Sequence, residues 1–182
     1  MARLRNRQAG FTLIEMMFVV AIIAVLAAIT IPLFTENSRQ GKAKAEISAF
    51  FGELAVREEQ YKVDRGTYLA AAACPAAASS TLQSMTGCVV SGQAWGPNVS
   101  ALPAGQRLNV QLPTVEGFCS YLIVSGTGTG TNNPVAGFTF TSPAGPWFYI
   151  VATCDMDGSA TTNAVYFASS VDPTIQATNE GF

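Results

Sequence analysis

From Phe11 to Phe34 the chain is almost uninterruptedly apolar (FTLIEMMFVVAIIAVLAAITIPLF), broken only by Thr12, Glu15, Thr30 and Pro32. About 24 residues at ~1.5 Å each span roughly 36 Å, enough to cross a hydrocarbon core ~30 Å thick. The pattern then changes to an amphipathic one. Ala43, Ile47, Phe50, Leu54 and Tyr61 recur at helical steps of three, four and seven, which predicts an apolar stripe laid along a β-sheet. Lys42, Lys44, Glu46, Glu53, Arg57, Glu58, Glu59 and Lys62 are expected on the opposite face. Arg65-Gly66 is a stop signal, so one helix is predicted from Phe11 to about Asp64, with Pro32 a kink and Gly41 a weak point.

Residues 67–106 have neither period and are rich in Ala, Ser, Gly and Pro. They read as an ordered connecting loop, with Trp95 a local plug or a subunit contact. Asn98-Val99-Ser100 fits the N-glycosylation pattern but is weak support for a sugar. Strand-like runs follow at Arg107–Leu112, Gly117–Val124, Phe138–Phe140 with Trp147–Thr153, and Ala164–Ala168. Gly- and Pro-bearing gaps separate them at hairpin intervals. The expectation is an α+β chain: a long N-terminal helix, half transmembrane and half amphipathic, packed on an antiparallel sheet of three or four strands.

Charge sets the orientation. Residues 1–10 carry Arg3, Arg5 and Arg7 and no acid, so that end is expected in the cytoplasm. Of 10 Lys and Arg, removing these three leaves 7 against 12 Asp and Glu, a net of −5 for residues 11–182. A mildly acidic domain is a poor partner for nucleic acid. With no histidine in 182 residues, the commonest general base and a common zinc ligand are missing, and no nucleophile setting or cofactor motif replaces them. An enzyme is not expected.

The string of basic residues, then Gly10, then Phe11-Thr12-Leu13-Ile14-Glu15, resembles the leader and cleavage site of the type IV pilin and pseudopilin family. The resemblance is close over Gly10 to Pro32. It implies a leader at 1–10, a membrane and filament-core helix at 11–34, an amphipathic helix at 35–66 and a β-rich head at 67–182. It implies cleavage after Gly10 by a prepilin peptidase, N-methylation of Phe11, and pairing of Glu15 with the Phe11 amine of a neighbouring subunit. Its partners would be other pilins and an inner-membrane platform with its ATPase. Its place would be the inner membrane before assembly and an extracellular pilus afterwards, serving motility and adhesion. The alternative is a pseudopilin of a type II secretion system; a low-copy adhesive minor subunit is a further class. Ala24 departs from the family, many of whose members have a helix-loosening Gly there. An ordinary signal peptide ending near Val25-Leu26-Ala27 would need a shorter apolar core without a Glu. A plain anchor with Glu15 snorkelling to the interface is the other simple reading.

Cys74, Cys88, Cys119 and Cys154 form no CxxC pair, so disulfides in an oxidising compartment are expected rather than zinc. Of the three pairings, Cys74–Cys88 and Cys119–Cys154 are favoured: a local staple, and a bridge between two predicted strands. Ser125–Gly130 has the glycines of a phosphate loop without its Lys, and reads as a hairpin tip. Asp155-Met156-Asp157-Gly158 reads first as a β-turn. Because some pseudopilins bind calcium in a C-terminal loop, Asp155, Asp157 and Asp172 are calcium candidates; no other cofactor is expected.

Overall fold

Thr12 opens the helix. In the computed structural model, which describes residues 11–85, 88, 108, 110–111, 113–132, 134–135, 137–158 and 162–180, α1 runs unbroken over Leu13–Arg65, through Pro32 and Gly41. Its end is chemically marked. Lys62 and Arg65 lie in the last turn, and Gly66 takes φ +77° so that its N–H bonds Lys62 O at 2.7 Å. The chain divides into two units at Ser38/Arg39, described separately here.

Among the described residues of the second unit, nine strands follow α1. They are β1 (Ala71–Cys74), β2 (Gln83–Ser84), β3 (Glu116–Gly117), β4 (Cys119–Thr127), β5 (Gly130–Asn132), β6 (Phe140–Ser142), β7 (Pro146–Cys154), β8 (Ala164–Ser169) and β9 (Gln176–Thr178). The main sheet has five strands in the order β1-β4-β7-β8-β9, every pair antiparallel. Separate two-stranded sheets join β2 to β3 and β5 to β6.

Strand alternation gives the main sheet two buried faces. Tyr121 and Ile123 of β4, Phe148 and Ile150 of β7, and Tyr166 and Ala168 of β8 meet Ala43, Ile47, Phe50, Phe51 and Leu54 of α1 in one core. The Phe50 and Tyr121 rings stack at 4.5 Å. On the other face Trp147, Tyr149, Val151, Val165 and Phe167 form a second cluster with Phe138 and Phe140. Trp147 lies against Gly126, where a Cβ would sit 2.6 Å from the indole, and its Nε1–H donates to Gly128 O at 3.0 Å. The glycine-rich stretch thus seats a tryptophan.

Several expectations need correction. The sheet has five strands, because short β1 and β9 close its two edges. Phe138–Phe140 does not join Trp147–Thr153 in one run: β6 pairs with β5, and β7 belongs to the main sheet. Leu108 and Val110 are buried without forming a strand, and Leu112 lies outside the described residues. Glu46 and Glu58 are buried rather than on the polar face. Residues 1–10, Trp95 and Asn98-Val99-Ser100 also lie outside the described residues.

Candidate assembly site

The first turn of α1 is a capping box. Glu15 Oε2 accepts from the Thr12 backbone N–H and the Thr12 hydroxyl, both at 2.8 Å, and Glu15 N–H approaches Thr12 Oγ1 at 3.3 Å. A free helix start leaves its first N–H groups unsatisfied, and in a bilayer no water is at hand to satisfy them. Thr12 and Glu15 therefore close the end of the helix and hold the carboxylate in one place. Thr12 went unread as a site residue in the sequence, although the pattern Thr-x-x-Glu before an apolar run is its signal.

Behind that cap, Leu13–Ile31 is long and apolar enough to span a membrane, and none of it is buried within the chain. Phe11, Leu13, Ile14, Met17, Phe18 and Val25 all expose most of their surface. The exposed Thr30 hydroxyl has its proton satisfied within the helix, donating to Leu26 O at 3.0 Å. A 19-residue apolar stretch, none of it buried among the described residues, requires lipid or other apolar helices around it. Gly10 is outside the described residues, while Phe11 is exposed beside the cap.

In the head, the buried Glu46 joins helix to sheet. Its carboxylate accepts from Phe118 N–H at 2.9 Å, Cys119 N–H at 3.4 Å and the Tyr121 hydroxyl at 2.8 Å. Burial raises its pKa above the ordinary value, against the pull of those three donors. Burial, and the nearby Glu46 charge, also push the Tyr121 phenol far up, so Tyr121 stays the donor. Gly117 makes the approach feasible: a Cβ there would stand 2.3 Å from Glu46 Oε1.

The structure links Cys74 to Cys88, and Cys119 to Cys154. Cys119 and Cys154 are directly opposite in the β4–β7 ladder, with Cα atoms 4.2 Å apart. Asp155, Asp157 and Asp172 sit in two different turns. Asp155 accepts from Gly158 N–H at 2.6 Å and Asp157 from the Thr162 hydroxyl at 3.1 Å. Asp172 accepts from Thr174 N–H at 3.0 Å and the Gln176 amide at 3.1 Å. Among the described residues no three His, Cys, Asp or Glu side chains gather as a metal-binding group.

Residues 5–31 match the family model of the prokaryotic N-terminal methylation motif. The chain is similar to the fimbrial protein EcpB of Eikenella corrodens, 52% identical over 48 residues, which is 26% of this chain and 28% of that protein. It is 49% identical over 53 residues to the type IV major pilin protein PilA of Myxococcus xanthus, covering 28% of this chain and 24% of the relative. It is 40% identical over 67 residues to the type II secretion system core protein G of Pseudomonas aeruginosa, covering 35% and 44%. The chain thus spans less than half the length of each of these relatives. No solved structure matches it. In the segment that carries the capped, exposed apolar helix, this chain is similar to type IV pilins and to a type II secretion system core protein G.

Proposed function

We propose that the chain is a structural subunit of a type IV pilus, whose work is assembly rather than catalysis. The leader is cut after Gly10 by a prepilin peptidase and the new amine on Phe11 is methylated. The apolar half of α1 then holds the subunit in the inner membrane, with residues before it in the cytoplasm and the head outside. An ATPase-driven platform draws subunits into a helical filament, where apolar faces of neighbouring helices replace lipid. The single observation that carries this reading is the span Leu13–Ile31, wholly unburied within the chain and capped by Thr12 and Glu15.

The chemistry of Glu15 follows from that setting. An isolated carboxylate in a low-dielectric core is costly, and a cationic partner offsets the cost. The Phe11 amine of an adjacent subunit is such a partner. Exchanging a local cap for an intermolecular pair would set the axial register between subunits.

A second reading, a filament subunit of a type II secretion system, is favoured by the match to core protein G, which covers more of this chain than either pilin match quoted above. Two disulfides and a sizeable head suit an extracellular fibre and favour the pilus. Quantifying this chain in filaments sheared from the cell surface separates the readings. The pilus reading predicts that it is recovered there, dominant as a major pilin or in trace as a minor one. Its absence from surface filaments, with retention in the cell envelope, would transfer it to the secretion system.

A further inference from the structure

Glu58 is fully buried in the head, about two turns before α1 ends. Its Oε2 accepts from Leu69 N–H at 3.0 Å, while its Oε1 is buried without a hydrogen-bond partner. Among the described residues no cation pairs with it. Arg57 bonds to Glu53 and Gln60 instead, and Lys62 reaches Tyr68 and Glu59. Glu59, beside it on the helix, accepts from the Tyr68 hydroxyl at 2.6 Å and is the one charge among the described residues that acts on Glu58. A buried carboxyl with a single donor and a negative neighbour favours its neutral form.

What Glu58 holds is the connection from α1 to β1. Tyr68 O accepts from the Ser125 hydroxyl at 3.1 Å, and Leu69 is tied to Glu58. Beyond them β1 is an edge strand, and its pairing with β4 shifts register between Ala71 and Cys74. An irregular edge strand of four residues has few ladder bonds of its own. The attachment on its N-terminal side therefore matters.

We propose that Glu58 is a protonation-controlled latch: as a neutral carboxyl it holds the α1–β1 connection to the helix, and its ionisation releases Leu69 and edge strand β1. An ionised Glu58 must find water for its unpartnered oxygen, and turning towards solvent breaks the bond to Leu69. The latch concerns the head alone and stands whether the filament is a pilus or a secretion filament. Burial pushes the carboxyl up to about 8, with Leu69 N–H opposing and Glu59 adding to the shift. The folded head therefore binds more protons than the unfolded chain between the ordinary value of 4.5 and about 8. Its contribution to stability is complete below that window and is lost as pH rises through it.

Carbon-13 NMR of the Glu58 carboxyl and hydrogen exchange at Leu69 test this on the full chain in detergent micelles. A carboxyl midpoint near 8 is expected. Leu69 protection, corrected for intrinsic exchange, should fall about tenfold between pH 6 and 9 in the wild type. In Glu58→Gln it should stay flat. A midpoint near 4.5, a Leu69 amide indifferent to pH, or the same loss in Glu58→Gln would each overturn the latch. If Glu58→Gln does not fold, the wild-type titration and exchange decide by themselves.

Discussion

Cells whose only copy carries Glu15→Leu should insert the subunit at least as well as the wild type, and yield few or no filaments. The substitution removes the one ionisable side chain of Leu13–Ile31, so insertion loses an obstacle. It also removes the acceptor for Thr12 N–H and hydroxyl, and with it the group that would neutralise a neighbour's Phe11 amine. An amine left unpaired among packed apolar helices is costly, and register between subunits loses its marker. The expected result is at least a tenfold fall in sheared filament mass, with the head's disulfides and near-UV circular dichroism unchanged. Preserved head structure separates the effect from misfolding, since among the described residues the head's core draws on α1 from Ala43 onward. Filaments of normal yield and length would remove Glu15 from the assembly mechanism.

Glu46→Leu should have the largest effect on the head. It leaves Phe118 N–H, Cys119 N–H and the Tyr121 hydroxyl without their buried acceptor. Each stranded donor costs about 1–3 kcal/mol, so the three together should cost several kcal/mol. Tyr121→Phe removes only one donor and should cost about 1 kcal/mol. Gly117→Ala attacks the same joint from the sheet side, because its Cβ would displace the Glu46 carboxylate. Denaturant unfolding in micelles measures all three, and Gly117→Ala with Glu46→Leu should be far from additive. A loss below about 1 kcal/mol for Glu46→Leu would show that the joint is not needed.

What could be read in the sequence follows the range over which each feature is determined. α1 is set by local periodicity and by end signals, so its expected limits, Phe11 to about Asp64, lie within two residues of Leu13–Arg65. β4, β7 and β8 carry long β-branched and aromatic runs and stand where the pattern puts them. β1 is a short edge strand whose partner β4 lies far off in the chain, and β9, beside the neighbouring β8, is too short to carry a pattern of its own. Ala71-Ala72-Ala73-Cys74 has no strand signal of its own, and the pairing of Ala71 to Ile123 and of Cys74 to Tyr121 exists only in the fold. Glu46 and Glu58 were misplaced for a related reason. Charge alone suggests a solvent face, yet both fall at helical spacing along the Ala43–Phe50–Leu54–Tyr61 stripe, and their acceptor role depends on N–H groups supplied from the sheet side. The Thr12–Glu15 box, by contrast, is entirely local and was present in the pattern of residues.

In the proposed maturation the chain begins at Phe11, just ahead of the Thr12 cap, with Glu15 in the first turn of α1. Intact-mass and amino-terminal peptide mass spectrometry of protein recovered from the envelope tests this directly. The expected product is a chain beginning at Phe11 with one methyl group on its amine, and a retained leader when Gly10 is replaced by a bulky residue. A mature terminus beyond Ala27, as ordinary signal cleavage would leave, would discard both the apolar helix and Glu15 and contradict the account.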